Sequence, residues 1–125
     1  MSAIVDNSTV VSRTNQTTNR GTVLNVEDID VLSVSVTYAP VSGGTATIAL
    51  YESVDGANYV AISGLTVAVS SPGTTIWHLS PVYSKYLKIL YTATSGGVTY
   101  SATINARNNS VFSNGVGISV STTAS

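Results

Sequence analysis

The sequence predicts an all-β chain, an antiparallel β-sandwich of Ig-like or jelly-roll-like type with extended terminal arms, on three observations. Apolar residues recur at every second position over many short segments, the signature of strands with one face buried. Turn signals built on Gly, Pro, Asn and Asp interrupt them at about the 8 to 12 residue spacing of all-β domains. No segment carries an i, i+3, i+4 apolar stripe of useful length. At 125 residues the chain has the length of one domain with a real core and no room for a second.

Taken in order, residues 2–12 hold Ile4-Val5 and Val10-Val11 around Asp6-Asn7-Ser8, which fits an edge strand or an arm lying on a neighbour. Arg13 to Arg20, without an apolar residue, reads as a loop or extended segment, and Gly21 to Val26 as a strand. Val31 to Ile62 is the most strongly patterned stretch, with Leu32, Val34, Val36 and Tyr38 on one face of its first run and Ala46, Ile48 and Leu50 on one face of its second. It is expected to form three strands, reversed first at Ser42-Gly43-Gly44 and then at Asp55-Gly56, because Gly and Asp tolerate the positive φ of tight hairpins. Ser63-Gly64 is expected to turn the chain again into Leu65 to Ser70, and Ser71-Pro72-Gly73 into Thr74 to Leu79. Ser80-Pro81 ends that strand, since proline cannot donate to a ladder.

Tyr86 to Thr94 and Val98 to Arg107 are the last two strands of the body, with Ser95-Gly96-Gly97 expected to reverse the chain between them. Tyr38 precedes Ser42-Gly43-Gly44 by the same four positions that Tyr91 precedes Ser95-Gly96-Gly97, as two similar hairpins on opposite sheets would. From Asn108 onward the chain is mostly Ser, Thr, Asn and Gly. There the alternation of Val116, Ile118 and Val120 fits a strand added to a neighbouring sheet edge, and the composition equally fits a frayed tail. The expected organisation is an N-terminal arm over 1–20, a β-sandwich domain over 21–107 and a C-terminal arm over 108–125.

Composition narrows the function. Only 9% of residues are charged and the net charge is −1, against about 25% charged in an average domain. Such a surface is uncharged and hydroxyl-rich, gives little mutual repulsion, and favours a component whose faces are covered in an assembly. Nucleic acid is not an expected partner, since phosphates call for clustered Lys and Arg and the five here are scattered. There is no Cys, which removes disulfides, thiolate zinc sites and Cys nucleophiles. Neither a signal peptide pattern nor an apolar run long enough to span a membrane is present.

The candidates for chemistry are few. His78 is the one histidine; it lacks an evident partner and no G-x-S-x-G elbow accompanies it, so no catalytic residue is assigned. Glu27, Asp28 and Asp30 form the one acidic cluster, without EF-hand spacing, and read either as a solvated loop facing Arg13 or Arg20 or as part of a calcium shell. No cofactor or metal ligand set is assigned. Tyr51, Tyr59, Trp77 and Tyr83 fit either a core or subunit interface or a platform that stacks sugar rings.

Two stretches carry a family resemblance. Ser53-Val-Asp-Gly-Ala-Asn-Tyr59, after Ile48-Ala-Leu-Tyr-Glu52, resembles the S-x-D-G-x-N-W/Y hairpin of small β-sandwich domains in bacteriophage virions and, more distantly, of discoidin-like domains, whose cysteines are missing here. Tyr86-Leu-Lys-Ile-Leu-Tyr-Thr-Ala-Thr-Ser-Gly-Gly97 resembles the K-Y-L-K-I-x-Y-T strand that follows it in such phage proteins. The resemblance spans 31–107 and implies a capsid decoration or cement protein, or a neck or tail component, with no catalytic residues to carry over.

The expected function is therefore that of a non-enzymatic bacteriophage virion protein. It would be a homo-oligomer assembled in the host cytoplasm and bound to the outer capsid through the major capsid protein or other virion proteins. A carbohydrate- or receptor-binding module is the alternative. The expected contact residues lie in the two arms: Ile4, Val5, Val10, Val11, Val111, Phe112, Val116, Ile118 and Val120.

Overall fold

A computed structural model describes residues 4–27, 29–79, 82, 84–108 and 119–123. Its strands are β1 (Ile4–Gln16), β2 (Arg20–Asn25), β3 (Val31–Ser53), β4 (Val60–Val69), β5 (Gly73–Leu79), β6 (Tyr86–Asn108) and β7 (Ser119–Thr123). All their pairings are antiparallel.

The frame is a ribbon of two 23-residue strands, β3 and β6, paired from Val31↔Arg107 to Ser53↔Tyr86. This corrects the expected reversals at Ser42-Gly43-Gly44 and Ser95-Gly96-Gly97. Neither triplet turns its strand back on itself. They face each other across the ladder, where its register shifts between Val41 and Ala46, and there the whole ribbon folds over.

The aromatic rings prove the fold. Tyr91 and Tyr100 belong to the same strand, and nine residues of straight strand would separate them by roughly 30 Å. Their ring centroids are 4.7 Å apart with planes inclined by 9°, so β6 doubles over between them. Positive φ and close approach mark the backbone at the fold. Ser42, Gly43 and Gly96 have φ of 50°, 77° and 60°. A Cβ on Gly44 would run into the carbonyl group of Gly97, and one on Gly96 would lie 3.2 Å from Gly44 Cα.

Folding the ribbon makes two layers. In the first, β1 lies beside the second half of β6 and β5 beside the first half of β3. In the second, the order is β4, β3, β6, β2, β7. The inward residues of both layers, among them Leu32, Val34, Ala102 and Ile104 from one and Leu24, Ile48, Leu50 and Ile89 from the other, form a single buried cluster. Each fully buried Leu, Ile or Val stabilises the fold by roughly 1.5–3 kcal/mol, so the expected sandwich is found and its core is its main support.

A third expected turn is also a different feature. Ser63-Gly64 lies inside β4 as a bulge: Ala49 pairs with Thr66 but Tyr51 with Ala61, and Gly64 takes φ 82°. The Asp55-Gly56 and Ser71-Pro72-Gly73 turns fall where expected. The terminal segments both add strands to this chain's own sheet, β1 on β6 and β7 on β2, and of the stretch from Arg13 to Arg20, expected as loop or extended segment, the part to Gln16 is strand.

Gly44→Ala is expected to lower stability by about 3 kcal/mol through overpacking at the fold. Gly43→Ala, whose added methyl meets nothing within 4 Å, should lose only about 1 kcal/mol for a side chain in the left-handed region. Urea midpoints compare the two; equal losses would show that close approach is not what the glycine at 44 provides.

Candidate functional site

The fold sorts the connections to two ends. Residues 15–19, 41–45, 70–72 and 95–97 surround the bend, while 26–27, 29–30, 54–59, 82 and 84–85 gather at the far end. The far end also collects charge: Glu27, Asp30, Glu52, Asp55, Lys85 and Lys88 all lie there.

The turn between β3 and β4 is built by its own side chains. Ser53 Oγ accepts from the backbone N–H groups of Asp55 (3.3 Å) and Gly56 (2.9 Å) and donates to Asp55 Oδ1 (2.9 Å). Asp55 Oδ1 also accepts from the N–H of Ala57 and of Asn58, and Oδ2 from Asn58 Nδ2, each at 2.9 Å. Gly56 supplies φ 79°. This is the physical content of the S-x-D-G-x-N pattern. Bonds from the Asn58 and Ala57 backbone, then from the Asn58 and Ser53 side chains, hold the Asp55 carboxyl well below the usual carboxylate range.

Beside this turn lies an open cleft of about 450 Å³ lined by Glu52, Ser53, Val54, Asp55, Asn58, Val60 and Ser84. Ser84 Oγ donates to Glu52 Oε1 at 2.6 Å. Val54 and Val60, 70% and 66% exposed, form its apolar rim. Next to it three half-exposed tyrosines converge. Lys88 Nζ sits 4.7 Å from the centroid of Tyr59, worth about 0.5–1 kcal/mol at an exposed site. Tyr86 packs its ring against Gly56, and Tyr51 stands opposite Lys88 across the ladder. Burial first, then the charges of Tyr86 and Asp55, raise the Tyr59 phenol above its ordinary value.

No protein-family model matches the chain, and no curated protein sequence does. Solved structures similar to it are β-rich and distant. A structure of Bacillus endospore appendages, described as disulfide-linked pili, aligns with TM-score 0.46 and 11% identity over 86% of this chain and 85% of that one. Cowpea mosaic virus empty particles align at 0.41 and 10% over 96% and 85%. The CBM22-1 and GH10 modules of a Clostridium thermocellum xylanase align at 0.43 and 13% over 71% and 19%.

Sequence reasoning found Tyr51 and Tyr59 but grouped them with Trp77, which is 4% exposed in the core of the other layer, and with Tyr83, which lies outside the described residues. It missed Tyr86, which joins them only because β6 pairs Tyr86 with Ser53. Local sequence holds no signal for that pairing. His78 is exposed on β5, with Nδ1 2.9 Å from Ser33 Oγ. In the acidic cluster Glu27 faces Lys85 at 3.8 Å instead of Arg13, whose Nε donates to Gln16, and Asp28 lies outside the described residues. Among the described residues no three His, Asp or Glu side chains converge on a common point.

The outer face of the first layer is of another kind. Cross-strand register aligns Thr9, Thr103, Ser35 and Ile76 in one row and Ser12, Ser101, Thr37 and Thr74 in the next. Hydroxyls bond to one another along these rows, Thr9 to Thr103 at 3.3 Å and Thr37 to Thr74 at 3.2 Å, and none of these side chains is charged. Of the expected contact residues, Val11 is buried in the chain's own core and Val10 packs against it. Ile4, Val5 and Val120 lie in β1 and β7, and Val111, Phe112, Val116 and Ile118 fall outside the described residues.

Trp77 emission is expected to be blue-shifted, weakly quenched by acrylamide and indifferent to sugars. Asp55 provides a second check. Its folded-state pKa is depressed from 3.8, so the stability it contributes is complete above that value and is lost as pH falls below it, where the unfolded chain takes up the proton first. Asp55→Ala should therefore be less stable than the parent at pH 7, by a margin that shrinks below about pH 4. Urea titrations at several pH values would read this, and a constant margin would contradict it.

Proposed function

We propose that the chain is a non-enzymatic structural protein of a bacteriophage virion, assembled in the host cytoplasm, that binds the outer capsid surface and stabilises the shell. Its partners are the major capsid protein or another virion protein, together with further copies of itself. The observation that carries this reading is the pair of uncharged, largely hydroxyl rows on the outer face of the first layer. Burying an unpaired charge is costly, whereas hydroxyls already bonded to one another lose little on leaving water. Such a face can be covered over the roughly 800 Å² per partner of a stable interface, and each contact made only in the assembled state favours assembly by mass action.

The far end supports a second reading, a carbohydrate- or receptor-binding module. Tyr51, Tyr59 and Tyr86 beside an open cleft offer ring faces and polar groups together. Under that reading Tyr59→Ala abolishes glycan binding, and under the first it leaves shell binding intact.

The test is pelleting of the purified chain with capsids assembled from the major capsid protein of the same genome, and the melting temperature of those capsids with and without it. Ser35→Arg, placed in the middle of the hydroxyl face, should weaken pelleting at least tenfold, roughly the effect of burying one unpaired charge, while the urea midpoint stays close to the parent's. Capsids that neither carry the chain into the pellet nor melt at a higher temperature with it would overturn the reading.

A further inference from the structure

Among the described residues β7 has one neighbour. It pairs with β2 from Gly21↔Thr123 to Asn25↔Ser119 with no register shift, and ends the order of described strands in the second layer. Among its residues SVSTT only Val120 is apolar. Its pairing to β2 is a continuous backbone ladder, the mode of recognition by which an added strand joins a sheet.

The connection to β7 is longer than its path requires. Asn108 ends β6 in the first layer, and Ser119 begins β7 in the second, two strands across. Both lie at the far end, since Asn108 faces Ile4 and Ser119 faces Asn25, which in turn faces Tyr86. With layers roughly 10 Å apart and strands roughly 4.8 Å apart, the gap is about 14 Å. Residues 109–118 between them can span roughly 33 Å.

We propose that β7 is exchanged between copies of this chain, the β7 of one copy pairing with the β2 edge of the next. Geometry sets the occupant: the strand that matches the β2 edge over its whole length is β7 itself, so a second copy fits without any change of register. An exchanged strand recovers every pair it had at home. What opposes exchange is the tether alone, which holds β7 near its own β2 at an effective concentration on the order of a millimolar. Exchange consequently grows as the protein approaches that concentration, or when copies are held side by side in an assembly. It does not depend on the partner being a capsid.

The chain has no cysteine, so single thiols report the pairing cleanly. Val23 and Ser121 are opposite each other, and antiparallel partners about 4.5–5.5 Å apart at Cα lie within disulfide reach. The double variant V23C/S121C, oxidised at micromolar concentration, is expected to close within one chain; failure to close would overturn the strand pairing and the proposal with it. A mixture of V23C and S121C, oxidised at about 1 mM, the scale of the tether, is expected to give the disulfide-linked heterodimer, told from the two homodimers by its intact mass. Its yield should exceed at least fivefold that of a control mixture of S121C with I76C, whose thiol is exposed on β5. A yield no greater than the control, with the double variant closing normally, would overturn exchange. Success here beside a failed capsid assay would separate this inference from the functional reading above.

Discussion

The fold depends on one close approach, that of two strands at Gly44, Gly96 and Gly97. A paired ribbon as long as β3 and β6 would, if straight, present two wide faces and have nothing to bury them against. Bending it back on itself brings its own halves face to face, and the bend is possible only where no Cβ keeps the strands apart. At Gly44 the space that a side chain would take is filled by the Gly97 carbonyl group. The stacked pair Tyr91 and Tyr100 fills the angle just inside the bend. Tyr91 is anchored there by donating its hydroxyl to the Gln16 carbonyl oxygen at 2.6 Å.

Once the ribbon is folded, the other strands have their places. β4 and β5 extend the two halves of β3, and β1 and β2 extend the two halves of β6. The core is a consequence of alternation: each strand already separates apolar from hydroxylated residues, and folding points every apolar set inward. Packing at this bend has a polar cost. Among the described residues the Tyr100 hydroxyl and Thr22 Oγ1 are buried without a hydrogen-bond partner, and burial pushes the Tyr100 phenol up to about 12.

The surface divides by chemistry. Charges and half-exposed tyrosines collect at the far end, where three connections meet, while the outer face of the first layer carries short hydroxyl side chains in register. The Lys85–Glu27 pair at the far end is exposed on both sides and adds at most about 1 kcal/mol. Stability therefore resides in the core and the backbone ladders, which leaves the surface free to be shaped by what it meets.

Sequence alone determined the β class, the inward and outward residues of nearly every strand, and the Asp55 turn, because each of these is decided within a few neighbouring residues. Leu32, Val34 and Val36 show their buried face by alternation whatever they pair with, and Ser53, Asp55 and Asn58 satisfy one another locally. The glycine signals were equally visible at 42–44, 63–64 and 95–97, but their meaning was not. A positive φ serves a hairpin, a bulge or a folded ribbon alike. Only the tertiary structure chose among them, since the choice rests on whether the flanking segments bond to each other or to a third strand far away in the chain. The same holds for Trp77 and Tyr86: which side of a sheet a residue occupies is written locally, whereas which layer that sheet belongs to, and who stands beside it, follows from pairings between residues more than thirty positions apart.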